Sequence, residues 1–368
     1  MTTIASIEAE PLSVPLREPF VIASATVTTT RAALVRVTLD DGTMGIGEAA
    51  TLYPVTKEDQ SDLFPYVARS RARLVGAAVE LAGLPSLLDD VLPDSPVTRA
   101  GVEGAILDAL ARRAGRSVRE LLGGPVIPPV LVSDVTIPIL PLETMCSLAE
   151  GWRARGFQVF KVKVGKDLDA DLRALGAIAK RVPDARFRID ANGGFSAREA
   201  LHLVSEAKRL ALVIECFEEP TTPFDLDAMA AVSRACTYPV VADESVKTLA
   251  HLESLLGARA ATGVNLKLAK SGGLLAALAI GRHAMRHGLS VMMGGMVETR
   301  LGMTEGAHVA AALGGVAFVD LDTAMLLAED PFEGGYEARG AELHLATRGA
   351  AALGFGVRWL TSSSTSAS

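Results

Sequence analysis

Three lysines and three carboxylates stand in short apolar runs in the middle of this chain. Lys161 and Lys163 lie in VFKVKV, Asp190 ends RFRID, Glu218 ends CFE, Asp243 ends VVAD, and Lys267 lies in GVNLKLAKSGG. If each run is a β-strand, alternation points Lys161 and Lys163 to the same side. Two adjacent ammonium groups repel and burial adds to this, so the pKa of at least one is expected to fall, giving a usable general base. Alone, KVK also fits a basic pair on a solvated face. The three acids would repel one another without a cation, whereas around magnesium they supply three of about six oxygens. A single Asp at a strand end often caps the next helix; acids ending three consecutive strands favour a shared ligand.

Lys267 sits in an apolar strand, where an ammonium needs a partner or a purpose. Facing inward, it would oppose Lys161 and Lys163 across a barrel, with metal and substrate between them. That is the geometry for taking a proton from one face of a carbon and returning it to the other. Lys270, past the strand end, is expected on the surface or in a loop. Asp320 and Asp322 in FVDLDT share a face and lie beyond the second lysine, away from the metal acids. They suit a substrate ammonium or, equally, one helix cap and one solvated acid. His283 and His287 have helix-face spacing without a third ligand and read as surface helix. Cys216 reads as a barrel-core thiol with no histidine to activate it. Neither a nucleophile elbow nor a P-loop occurs.

The elements that must hold these groups form a repeat. From about residue 130, β-branched runs recur at intervals of roughly 25 residues, separated by Ala/Leu/Arg-rich segments of helical period. Eight even repeats favour a closed parallel α/β barrel, with functional groups at the C-terminal mouth of its strands. Residues 31–49 read as two strands joined at Asp41-Gly42. Residues 95–124 have helical spacing and end on Gly123-Gly124, so the first third looks like an α+β domain. The last eight residues, TSSSTSAS, read as a disordered tail.

Composition supplies ample apolar material for a large core. The 368 residues are 49% hydrophobic and 21% charged. A net charge of -7 offers no attraction to nucleic acid or anionic lipid. No run of about 18 apolar residues suggests a membrane span. The N-terminus lacks a secretory pattern, and three scattered cysteines make no disulfide framework, so a cytoplasmic setting is expected.

Taken together, KVK, RIDANGGF, FEEP, VADES, LKLAKSGG and GGMVETRLG resemble the muconate-lactonizing subgroup of the enolase superfamily. The resemblance extends over almost the whole chain, including GEA at 47–49 and the helix ending RELLGG. It implies a modified TIM barrel, (β/α)7β, over residues 126–329, with an α+β capping domain from residues 1–125 and about 330–368. A lysine or histidine base working with magnesium is the established apparatus of that superfamily. Lys163 and Lys267 are thereby implied as opposed acid/base groups, Lys161 as the residue that tunes Lys163 and holds substrate, and Asp190, Glu218 and Asp243 as ligands of one Mg2+ per subunit. In FEEP the ligand is the first glutamate, with Glu219 only adjacent.

Within the subgroup, Asp320-Leu321-Asp322 and Thr136 are most similar to the dipeptide epimerases, whose acid pair holds the substrate α-ammonium. Ser24, Met296 and Glu298 are implied as further substrate contacts. The expected reaction is inversion of the C-terminal residue's α-carbon through an enediolate. Cycloisomerisation, o-succinylbenzoate synthesis and N-acylamino acid racemisation are the alternatives on the same core. Capping loops near 19–26 and 51–58 would close over a dipeptide. The first loop, FVIASA, is uncharged, so an apolar or small C-terminal side chain fits better than an acidic one. Arg17, Lys57 and Arg300 are the available substitutes for a basic group. A homo-oligomer is also implied.

Overall fold

The computed structural model describes residues 1–23 and 25–360. The chain begins with β1 (Ile4–Leu12), β2 (Pro15–Val21), β3 (Thr26–Thr29), β4 (Arg31–Leu39) and β5 (Met44–Thr51). There follow α1 (Gln60–Leu74), α2 (Leu84–Val91), α3 (Pro96–Arg113) and α4 (Val118–Leu121). β4 lies antiparallel between β1 and β5, and β2 and β3 form a separate hairpin. The β4–β5 turn falls at Asp41-Gly42 as expected. Gly42 takes a left-handed φ of 84°, and Asp41 accepts from Thr43 N at 3.0 Å.

α3 packs directly on β5. A Cβ on Gly47 would lie 2.2 Å from the Gly101 carbonyl oxygen, so only glycine permits this approach. The helix expected to reach Gly124 instead stops at Arg113. Gly115 turns left-handed there, and Ser117 opens α4 with a reciprocal cap to Glu120. Helical spacing continues across the break, but the backbone does not.

After the short β6 (Leu131–Val132), eight strands make one parallel sheet in chain order. They are β7 (Val135–Ile137), β8 (Val159–Lys163), β9 (Arg186–Asp190), β10 (Val213–Glu218), β11 (Val240–Ala242), β12 (Gly263–Leu266), β13 (Ser290–Gly294) and β14 (Phe318–Asp320). The ring is joined where Asp134 N donates to Val319 O at 3.0 Å and Leu321 N donates to Ser133 Oγ at 2.9 Å. The chain returns between strands through α5 (Leu142–Ala154), α6 (Leu168–Arg181), α7 (Ala197–Arg209), α8 (Leu226–Ala235), α9 (Leu249–Ala258), α10 (Leu268–Ser271), α11 (Leu274–Arg286) and α12 (Arg300–Leu313). Only the one-turn α13 (Thr323–Leu326) follows β14, which makes the architecture (β/α)7β.

The helices are amphipathic for a local reason. α7 buries Ala200, Leu203 and Ala207, one stripe of a helix, and Ser196 and Glu199 cap its start. Inside the ring, Cys216, Val241 and Met292 pack together as a plug, and burial raises the Cys216 thiol well above its ordinary pKa. The chain ends in β15 (Phe332–Gly334), β16 (Tyr336–Arg339), β17 (Glu342–Leu345) and β18 (Val357–Trp359). This segment touches both halves: β17 pairs with β6, Val118 N donates to Gly354 O at 2.9 Å, and the Arg36 guanidinium lies 4.7 Å over the Trp359 ring. Among the described residues, no helix is long and apolar enough to cross a membrane.

Candidate active site

Strand register brings the charged residues together. β8 pairs with β9 so that Lys163 sits beside Asp190, and β9 pairs with β10 so that Asp190 sits beside Glu218. Asp243 follows the end of β11, and Lys267 follows the end of β12. All of these side chains are buried.

Lys161 Nζ lies 2.6 Å from Asp320 Oδ2, 2.9 Å from Glu218 Oε2 and 3.1 Å from Asp190 Oδ2. The Glu218 approach lacks hydrogen-bond geometry, so that oxygen has a nearby charge but no donor. Lys163 Nζ donates to Asp190 Oδ2 at 2.5 Å, and Lys267 Nζ donates to Asp243 Oδ2 at 2.6 Å. Asn265 Nδ2 donates to Glu218 Oε1 at 2.8 Å. Glu219 accepts from Asp243 N at 2.6 Å and from the Ser245 hydroxyl, so it fixes the turn that carries Asp243.

The electrostatics depart from the expectation for two adjacent lysines. Burial works against the Lys161 charge, yet Asp320, Glu218 and Asp190 outweigh it and raise its pKa well above the ordinary lysine value. Lys267 is likewise raised, because Asp243 outweighs burial. At Lys161 the fall expected from mutual repulsion is overridden by the surrounding carboxylates. Burial and then Asp190 push Glu218 up to about 8, whereas Asp190 stays below its usual range because Lys163 and Lys161 outweigh its burial.

Lys270 also corrects its expected surface position. It is buried, with Nζ donating to the Asp243 carbonyl at 2.6 Å and to the Asp243 carboxylate. The short α10 turns it back over the end of β11.

A cavity of about 20 Å3 lies above these groups, lined by Lys161, Lys163, Lys267, Asp320 and Asp322 below and by Phe20, Ile22, Leu52 and Val55 from the cap. Thr136 and Met296 also line it. Both capping loops therefore reach the site. Glu298 accepts from Met296 N at 2.7 Å, and burial and then Glu48 push it up to about 8. Ser24 lies outside the described residues, as does the terminal stretch TSSSTSAS.

Asp322 Oδ2 accepts from Thr136 N at 2.5 Å, while its Oδ1 is buried with no partner. Burial and then Asp320 push Asp322 up to about 7. Asp134, not among the expected site residues, stands beside this pair. Oxygens of Asp134, Asp320 and Asp322 lie within 4.8 Å of one another. Arg188 Nη1 holds Asp134 Oδ2 at 2.8 Å, and Asp134 Oδ1 has no donor. Asp134 shares the parity of Thr136, a signal that was available. Asp320 is nearer to the three acids than expected, since Lys161 bridges it to Asp190 and Glu218. Of the three basic residues considered for an acidic side chain, Arg17 Nε donates to Leu327 O and Arg300 Nε to Asp330. None of Arg17, Lys57 and Arg300 lines this cavity.

Comparison with known proteins agrees with this geometry. Residues 5–123 match the family described as mandelate racemase / muconate lactonizing enzyme, N-terminal domain, and residues 144–362 match enolase C-terminal domain-like. The chain belongs to this family of the enolase superfamily. It is 36% identical to an aromatic dipeptide epimerase from Herpetosiphon aurantiacus, over 94% of this chain and 97% of that protein. It is 34% identical to an L-Ala-D/L-Glu epimerase from Bacillus subtilis, over 93% of this chain and 94% of that one. A substrate-liganded structure of the Bacillus subtilis L-Ala-D/L-Glu epimerase superposes with a TM-score of 0.88 at 33% identity, covering 93% of this chain and 96% of that one. A dipeptide epimerase from Cytophaga hutchinsonii, crystallised with Mg and D-Ala-L-Val, gives a TM-score of 0.91 at 27% identity, covering 97% of this chain and 96% of that one.

Proposed function

We propose that this enzyme is a magnesium-dependent dipeptide epimerase that inverts the α-carbon of the C-terminal residue. One observation carries the reading: Lys163 and Lys267 line a single cavity from β8 and from the end of β12, four positions apart in an eight-stranded ring, with Asp320 and Asp322 lining the same space. Opposed amines suit inversion, and paired acids suit an α-ammonium.

Asp190, Glu218 and Asp243 fit a hard divalent cation. Their donors are all carboxylate oxygens, and Glu218 Oε2 is buried without a hydrogen-bond donor. These three residues would hold it. When bound, Mg2+ supplies the positive charge that stabilises negative charge developing on the substrate carboxylate and competes with the lysines for their acid partners.

The remaining work falls to the chain's own side chains. Lys161, held charged among three acids, keeps an ammonium beside the substrate carboxylate. Asp320 and Asp322 hold the substrate ammonium, with Thr136 N fixing one oxygen of Asp322. Phe20, Ile22, Leu52 and Val55 exclude water. Whichever of Lys163 and Lys267 is neutral takes the α-proton on its own side; the other, as ammonium, delivers a proton to the opposite face. The product differs from the substrate only at that carbon. The acid pair favours this reading over N-acylamino acid racemisation, because an acylated nitrogen carries no charge for it to meet.

A dipeptide library incubated with the enzyme and Mg2+ in heavy water tests the proposal by mass spectrometry. Gain of one deuterium with inversion of the C-terminal residue is expected. An unlabelled library, with labelling confined to N-acylamino acids, would overturn it.

A further inference from the structure

A second, larger cavity of about 200 Å3 lies between β2, α5 and α13, and nothing in the proposed reaction uses it. Phe20, Thr136, Leu148, Trp152, Met325 and Leu326 line it. The cations at its edge are already engaged: Arg17 Nε donates to Leu327 O at 2.8 Å, and the Arg155 guanidinium lies 4.6 Å over the Trp152 ring. Glu18 is exposed and Ser147 adds one hydroxyl, but the rest of the lining is mainly apolar, and a cavity of about 150 Å3 is already enough for a benzene ring.

Its position relative to the catalytic cavity identifies an occupant. Phe20 and Thr136 line both spaces and form the wall between them. Thr136 N is bonded to Asp322, whose free Oδ1 is one of the two orphaned carboxylate oxygens at the ammonium site. Met325 and Leu326 belong to the single turn that begins directly after Asp322. An α-ammonium held by Asp320 and Asp322 thus stands at this wall. The side chain on the same carbon has two directions open to it. One leads into the catalytic cavity, which is about 20 Å3 and lined by lysines and acids. The other leads past Thr136 into the apolar space.

The geometry points to this cavity as the pocket for the substrate's N-terminal side chain, so that the enzyme selects dipeptides whose first residue is large and apolar, branched or aromatic. The inference rests on the dipeptide reading and deepens it. The gap in the barrel wall makes the pocket possible, because only one turn of helix follows β14 where a full barrel would have a long one.

Gly151 gives a test that leaves the catalytic groups alone. It lines the cavity from within α5, and a Cβ there would meet nothing within 4 Å. Replacing a helical glycine by a side-chain-bearing residue also favours the helix. Gly151→Phe narrows the pocket. The measurement is kcat/KM for α-proton exchange in heavy water on two dipeptides ending in valine, one beginning with phenylalanine and one with alanine. The wild type should prefer the phenylalanine peptide by about tenfold or more, and Gly151→Phe should remove that preference while leaving the alanine peptide within about twofold. Equal rates on the two peptides in the wild type, or a preference unchanged in Gly151→Phe, would overturn the pocket and leave the epimerase reading standing. No exchange with any dipeptide would overturn both. A changed sedimentation coefficient in Gly151→Phe, with the preference intact, would mean that a second copy of the chain covers this groove, and would also overturn it.

Discussion

Asn265 donates to one oxygen of Glu218 at 2.8 Å, and the other oxygen of that carboxylate has no donor. The amide thus orients Glu218, whose second oxygen faces the Lys161 ammonium at 2.9 Å. Removing the amide frees a buried carboxylate to rotate. Asn265→Leu is expected to weaken magnesium by about 10–100-fold with the fold retained, as is usual for the loss of an outer-shell partner. Calorimetric titration with Mg2+ measures this directly; unchanged affinity would remove Glu218 from the proposed ligand set.

The two lysines should fail separately. Lys163→Ala and Lys267→Ala should each lower epimerisation by about 10²–10⁴-fold or more, the usual range for a positioned acid or base. Lys267→Ala should disturb folding little, because Lys270 still meets the Asp243 carboxylate. Lys163→Ala leaves Lys161 at 3.1 Å from Asp190. Circular dichroism checks the fold and chiral chromatography the turnover. Full activity in either variant would refute transfer between two opposed amines.

Asp322 separates substrates by charge. Asp322→Asn keeps an oxygen for Thr136 N but halves the charge of the pair. Dipeptide kcat/KM should fall by about 30- to 5,000-fold, equivalent to about 2–5 kcal/mol, the cost of breaking a buried charge pair. Turnover of an N-acylamino acid should suffer much less. Equal losses on both substrates would mean that Asp322 does not face an ammonium.

Glu103 makes stability depend on pH. This α3 carboxylate accepts from Leu275 N at 2.8 Å, its second oxygen has no partner, and burial raises it from 4.5 to about 7. The folded chain therefore binds this proton more tightly than the unfolded chain. The resulting stabilisation is complete below about 4.5 and is lost as pH rises through about 7. Glu103→Gln retains the acceptor and removes the ionisation. Between pH 5 and 8, the unfolding free energy from urea titration should fall more steeply for the wild type than for the variant, by a difference on the order of 2–3 kcal/mol. Identical slopes would show that Glu103 ionises normally.

Much of the site could be read before any folding, because strand parity is local. Lys161 and Lys163 share a face whatever surrounds them, and an acid after an apolar run marks a strand end. The Asp41-Gly42 turn and the α7 cap are equally short-range. The break after α3 was missed because helical spacing survives in a sequence whose backbone turns at Gly115.

What the residues alone determined is the order of the parts: eight strands, their inward-facing charges, and a cap whose first loop, FVIASA, carries no base for an acidic side chain. Tertiary structure decided which charges meet. Thr136 and Asp322 bond across 186 positions because the ring closes between β7 and β14, and the same closure brings Asp134 to the acid pair. Lys270 is buried because α10 folds it back onto Asp243. For the same reason, the Lys161 pKa rises where a fall is expected. Coulomb energy depends on distance in space, and Asp190, Glu218 and Asp320, drawn from three strands, surround an amine that the sequence displays only beside Lys163.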